Sequence, residues 1–182
     1  MVTFATDRLL LRPWEESDVD FVFDLYSRFK VQRFIGRVPR VMESRAEAVE
    51  RVEQLASHEH PVHGYWAVGL RDTGALVGTI LLKPIPASGD GVPLQPSGDI
   101  EIGWHFHPDS WGRGYATEAA AAVLDHAFAG GLTEVVAVTN PQNFASRRVC
   151  ARIGMAHLGQ TDRYYNQTCE LFVATQPPSN SL

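Results

Sequence analysis

Cysteine is scarce in this chain, with two thiols, Cys150 and Cys169, among 182 residues. Without a Cys-x-x-Cys spacing they suggest neither a disulfide framework nor a zinc site, and free thiols suit a reducing compartment. Long apolar runs are missing too. No stretch approaches the ~18 residues that a bilayer-spanning helix requires, and the first residues lack the charged-then-apolar pattern of a signal peptide. A cytoplasmic protein without membrane partners is therefore expected. Nor is there an excess of positive charge, since 16 Lys and Arg stand against 21 Asp and Glu, a formal net charge of −5. A general nucleic-acid binder would show the opposite balance, although a local basic pocket is not excluded. Two familiar phosphate-binding signatures are absent as well: the Walker loop with Gly-Lys-Ser/Thr, and Gly-x-Gly-x-x-Gly.

What is present is ordinary for a globular chain, with 45% hydrophobic and 20% charged residues. This length suits one domain that buries about two-thirds of its unfolded surface. We place that domain at residues 1–175 and expect residues 176–182, rich in Pro and Ser, to be a disordered tail.

Leu9, Leu10 and Leu11 read as a first strand closed by Pro13. Ser17 with Asp20 opens a helix whose apolar positions Val22, Leu25, Tyr26 and Phe29 recur at helical spacing. A loop follows. Ser44 and Glu47 form a capping box for a second helix, in which Glu47 and Arg51 sit four apart and Ala48, Val52, Leu55 and Ala56 make a core stripe. His58, His60 and His63 share no spacing that aims them at one metal ion and read as a solvated loop. Residues 65–70 and 76–82 are apolar runs that pair as a hairpin, and Trp66 reads as core. Residues 83–98, with four prolines and three glycines, read as a long structureless insertion.

The central stretch is residues 99–121, a strand, a glycine turn and the start of a helix. A helix that opens on Gly112, Arg113, Gly114, Tyr115, Ala116 and Thr117 presents free backbone N–H groups and its positive dipole end to whatever precedes it. Glycine lets phosphates approach the backbone, and Arg113 adds a full charge. That helix continues through Val123, Leu124 and Ala127 to Gly130. A β-branched strand at residues 135–138 comes next. Asn143 then caps a helix through Ser146 and Val149 that Gly154 stops, and two last strands flank a turn carrying Tyr164, Tyr165 and Asn166.

Phe106-His107-Pro108 followed by Trp111-Gly112-Arg113-Gly114-Tyr115-Ala116 resembles the phosphate-binding signature of the GNAT superfamily of N-acetyltransferases. Trp111 stands where that family usually has Gln or Arg, a variation similar to the branch that acetylates ribosomal-protein N-termini. Asn140-x-x-Asn143-x-x-Ser146, with residues 147–155, resembles the family's second coenzyme segment. The resemblance implies an α/β fold with a mixed, mostly antiparallel sheet of six to seven strands, splayed in the middle, and about four helices. It implies acetyl-CoA as co-substrate, no metal, and a primary amine as acceptor, either a protein N-terminus or a small molecule. A homodimer through the last strands is compatible with it.

Site roles follow from the same resemblance. Backbone groups at Phe106 and His107 would meet the thioester and pantetheine. Trp111, Gly112, Arg113, Gly114, Tyr115, Ala116 and Thr117 would hold the pyrophosphate, and Asn140, Asn143 and Ser146 the pantetheine arm. Glu101 is the expected base, acting through water, or else a glutamate solvated or paired with an arginine. Ser146 is the preferred acid, with Tyr164 or Tyr165 next; Cys150, where many members carry tyrosine, reads as a packed core thiol. The acceptor pocket is expected between the first helices, the loop at residues 83–98 and the turn at residues 164–166. Two other readings stay open: an acyl-CoA-binding module without turnover, and a nucleotide-binding protein of another fold.

Overall fold

The computed structural model describes residues 2–176. The strands are β1 (Phe4–Ala5), β2 (Leu9–Arg12), β3 (Gly64–Leu70), β4 (Leu76–Pro86), β5 (Pro96–Phe106), β6 (Glu134–Thr139), β7 (Ala156–Thr161) and β8 (Cys169–Thr175). The helices are α1 (Val19–Tyr26), α2 (Phe29–Gln32), α3 (Arg45–Ala56), α4 (Tyr115–Ala129) and α5 (Phe144–Arg152). All eight strands share one sheet in the order β1-β2-β3-β4-β5-β6-β8-β7. Every neighbouring pair is antiparallel except β5 with β6, which run parallel and register only at Glu101 and Val136. The sheet is therefore split where the resemblance implies, but it holds eight strands and five helices, more than expected. The additions are short: β1 has two residues and α2 has four, below the length at which periodicity is legible.

Alternation along β3 separates the two faces. Trp66 and Val68 join the larger core cluster with Ala119, Ala120 and Val123 of α4, whereas Ala67 and Tyr65 join a second cluster with Val22 and Leu25 of α1 and Val52 and Leu55 of α3. The face under α4 is lined by small alanines, so the helix packs close to the sheet. Each fully buried Leu, Ile or Val contributes about 1.5–3 kcal/mol relative to exposure.

Three expectations change. The first helix begins at Val19, after a 3₁₀ turn (Glu16–Asp18), because Asp18 is drawn to other partners: its carboxylate accepts from the Glu15 amide at 2.9 Å and takes both Arg12 Nη groups at 2.7 and 2.8 Å. Ser44 does cap α3, accepting from the Glu47 amide at 3.3 Å, yet Glu47 turns to Arg40 at 2.6 Å and not to Arg51. The insertion at residues 83–98 is largely strand. Lys83 and Pro84 face Glu101 and Ile100 across the ladder, leaving only residues 87–95 outside it. Pro84 is tolerated because β3 stops at Gly64, opposite Leu82, so no strand on that side seeks its missing N–H. Residues 177–182 of the expected tail lie outside the described residues, while the Gln176 amide is held by the Thr133 carbonyl at 2.9 Å.

Gly78 permits the closest approach in the sheet. A Cβ there would stand 2.7 Å from the His105 carbonyl oxygen and 2.7 Å from the Phe106 ring. Gly78→Ala should destabilise the fold by about 1–3 kcal/mol, read as a lower urea midpoint at unchanged slope, because backbone must move to admit the methyl.

Candidate active site

A cavity of about 610 Å³ opens at the split between β5 and β6 and is walled by both helical layers. His107 donates its amide to the Val77 carbonyl at 2.9 Å, continuing the register that pairs Phe106 with Gly78. Because hydrogen-bonded and non-hydrogen-bonded pairs alternate in an antiparallel ladder, the amides of Glu101, Gly103 and His105 also point to β4. Those of Trp104 and Phe106 point to β6, which has already diverged. The Phe106 carbonyl is covered by Trp111, whose indole N–H donates to it at 2.7 Å. The Phe106 amide is left facing the cavity.

Beyond it lies the glycine turn. Gly112 and Gly114 take left-handed φ of +75° and +82°, and a Cβ at Gly112 would meet open space. No acceptor among the described residues takes the amides of residues 112–117, so the start of α4 is a row of free donors. Arg113, expected to add a charge here, does not line the cavity, and its carbonyl accepts from Arg8 at 3.0 Å. The cations on this side come from α5 instead, as Arg148 and Arg152. Asn140, Asn143 and Ser146 all reach the wall. Asn143 caps α5 by accepting from the Ser146 amide at 3.2 Å, which leaves the Ser146 hydroxyl free of a protein partner among the described residues.

Glu101 is 6% exposed, on the face of β5 toward α1 and α3. Lys83 Nζ lies 2.5 Å from its Oε1, and Tyr165 donates its hydroxyl to the same oxygen while accepting from Lys83 at 2.8 Å. Burial first, and the Glu101 charge second, push the Tyr165 phenol far above its ordinary range, so it stays protonated. Tyr165 and Asn166 hold positive φ of 59° and 53°, uncommon for residues with a Cβ. The turn is held there by residues 87–95: the Asn166 side chain accepts from the Gly89 amide at 2.8 Å and donates to its carbonyl at 2.9 Å.

Besides Arg113, two expected site residues lie elsewhere. Tyr164 is 1% exposed and donates to Asp99 at 2.7 Å, in a small cluster with Ile85 and Leu171 and away from the cavity. His107 offers no free backbone group, since its amide is taken by Val77 and its carbonyl by the Ser110 hydroxyl at 2.7 Å and amide at 2.9 Å. Cys150 is fully buried, and burial pushes its thiol up to about 12, as a packed core residue requires. The loop at residues 87–95 braces the turn and does not wall the pocket, contrary to expectation.

Wall residues that escaped the sequence reading include Lys83, Arg51 and His105, the last noted only as a neighbour of Phe106. Lys83 comes opposite Glu101 only through the register of β4 with β5. His105 Nδ1 lies 2.9 Å from the Tyr26 hydroxyl, and burial, aided by the Arg51 charge, lowers the imidazole from 6.5 to about 4.

Residues 8–156 match the family model described as the acetyltransferase (GNAT) domain. By class the protein is an acyltransferase. The chain belongs to the GNAT acetyltransferase family. It is 30% identical over 164 residues to the uncharacterized N-acetyltransferase YoaA of Bacillus subtilis, covering 89% of this chain and 87% of that one. A GNAT-family acetyltransferase structure from Bacillus anthracis shares 26% identity at a TM-score of 0.74, with 94% of this chain and 96% of that one covered. A ribosomal L7/L12 alpha-N-protein acetyltransferase, solved in complex with coenzyme A, shares the fold at 17% identity and a TM-score of 0.75, over 96% and 98%.

The folded state keeps His105 neutral, whereas the unfolded chain protonates it near 6.5. Its contribution to stability is complete above that pH and lost as pH falls toward about 4. In melting curves at about pH 7 and about pH 4.5, His105→Gln should narrow the gap in Tm between the two conditions.

Proposed function

We propose that the chain transfers the acetyl group of acetyl-CoA to a primary amine by direct attack of the amine nitrogen on the thioester carbonyl. The observation that carries this reading is the coincidence, in one cavity, of free amides at residues 112–117, a free Phe106 amide, and the buried Glu101 carboxylate. The coenzyme A complex of the ribosomal-protein acetyltransferase, which shares the fold, supports the choice of co-substrate.

In this reading the residue 112–117 amides and the positive end of α4 hold the pyrophosphate, with Arg148 and Arg152 adding charge. Asn140 and Asn143 meet the pantetheine arm. The thioester supplies an activated acyl carbon. Glu101 takes a proton from the acceptor's ammonium through water, freeing the neutral amine to attack, and Lys83 with Tyr165 positions its carboxylate. The Phe106 amide donates to the thioester oxygen as that oxygen gains negative charge. The C–S bond breaks as the amide forms, and the Ser146 hydroxyl donates to the departing sulfur. No acyl-enzyme is required: Cys150 is sealed in the core, and the wall thiol Cys169 is kept protonated by burial and by the Glu101 charge.

Calorimetric titration with acetyl-CoA tests the cradle. Saturable binding is expected for the native chain and a loss on the order of 100-fold for Gly114→Glu, whose carboxylate meets the pyrophosphate; equal binding by both would remove the cradle. The base is tested by amine-dependent release of CoA. Glu101→Gln should lower kcat by about 100-fold or more and flatten the acidic limb of the pH profile. Full turnover by that variant at every pH would mean that Glu101 is not the base.

A further inference from the structure

Arg51 is the charged group that this mechanism does not use. It sits in α3, half-buried in the cavity wall, with its guanidinium 6.0 Å from the Tyr65 ring centre. Its helical neighbour Glu47 is occupied by Arg40, and no hydrogen bond or ion pair to Arg51 exists among the described residues. An unpaired cation at a partly desolvated wall is costly unless a ligand completes it.

Its position sets it apart from the cofactor cradle. α3 packs on the face of the sheet that carries Tyr65 and Ala67, whereas α4, with the free amides, packs on the face that carries Trp66 and Val68. Arg51 therefore lies across the sheet from the cradle, on the Glu101 face. The surroundings share its sign. Lys30 and Arg33, on and just after α2, also reach the wall, and among the described residues neither has a carboxylate partner. Among the described residues the one acidic side chain on the wall, Glu101, is already matched by Lys83. This face is thus cationic in a chain whose net charge is −5.

From this placement we infer that the acceptor is a small amine that also bears an oxyanion, a carboxylate or a phosphate, and that Arg51 holds the oxyanion while the amine faces Glu101. The inference rests on the transferase reading above and deepens it. The planar guanidinium fork matches either oxyanion through two parallel N–H donors, a geometry that a lone ammonium cannot reproduce. Arg51 is accordingly a specificity residue. It selects which amine arrives and takes no part in the transfer of the acetyl group.

The test uses matched pairs of amines: a panel of α-amino acids, each against its carboxamide, and O-phosphoethanolamine against ethanolamine. Two readings are taken on the full chain, calorimetric binding to the CoA-saturated protein and CoA release from acetyl-CoA. In at least one pair the anionic member should bind and turn over about 10- to 100-fold better than its neutral twin. Which pair responds separates carboxylate from phosphate. Arg51→Ala should bring that ratio close to one, Arg51→Lys should keep part of it, and Arg51→Glu should reverse it; melting curves establish that each variant folds. Equal use of both members by the native chain, an unchanged ratio in Arg51→Ala, or no binding of any anionic amine would overturn the inference. Turnover of neutral amines without anion preference would leave the transferase reading standing and remove this one. Binding of an anionic amine through Arg51 without any CoA release would remove the transferase reading, and with it the acceptor role, while keeping Arg51 as the oxyanion contact.

Discussion

One constraint organises the molecule: β5 and β6 run side by side, yet register at a single pair, Glu101 with Val136. A parallel ladder that continued to Phe106 would pair the backbone of Trp104 and Phe106 and close the sheet. Divergence instead leaves polar backbone groups at the floor of a cavity, where unmatched donors cost stability. The fold limits that cost by covering the Phe106 carbonyl with the Trp111 indole, so that only the amide is left open. Trp111, where Gln or Arg is usual in the family, thus ties the end of β5 to the glycine turn that follows it. The same divergence admits α5 and the residue 112–117 amides to one wall, and brings Glu101 within reach from the opposite face of the sheet.

The chain's charges are distributed against its net balance. Carboxylates outnumber cations overall, but several are committed to ion pairs: Asp18 to Arg12, Glu47 to Arg40, Glu118 to Arg8, and, on the cavity wall, Glu101 to Lys83. Among the described residues, cations without a carboxylate partner stand on the wall, Arg148 and Arg152 toward the cradle and Arg51 toward the other face. A surface of one sign and a pocket of the other give a small anion a downhill path to the pocket only close to its mouth, since screening confines the effect to about 8–10 Å.

Most of the fold was legible in the sequence because its elements declare themselves locally. Ser44 with Glu47, the apolar stripe of α3, the strand-turn-helix around Gly112 and Gly114, and Asn143 ahead of Ser146 each carry a signal within one or two turns of chain. Glu101, Phe106 and Ser146 were named through the family resemblance, and the structure sets them on one cavity wall with the glycine turn. What was hidden depends on register between distant segments. Lys83 looked like the start of a loop until the β4 ladder carried it opposite Glu101, and Arg51 looked paired until Arg40 was seen to hold Glu47. Between adjacent tyrosines the sequence offers no choice, because a positive φ at residue 165 decides which ring turns outward to the cavity. Gly89, reaching Asn166 from 77 residues away, imposes it.

That clasp has an evolutionary corollary. Ser88 and Gly89 grip the turn at residues 162–166 through three hydrogen bonds beyond the Asn166 pair, two to the Arg163 and Asp162 carbonyls and one from the Asn166 amide. Two surface loops that would ordinarily drift in length independently are here one mechanical part, with Tyr165 at its tip. An insertion in either moves the phenol off Glu101 unless the other answers it. The two segments are expected to diversify in concert among relatives, and a loop graft that reshapes the pocket must carry both.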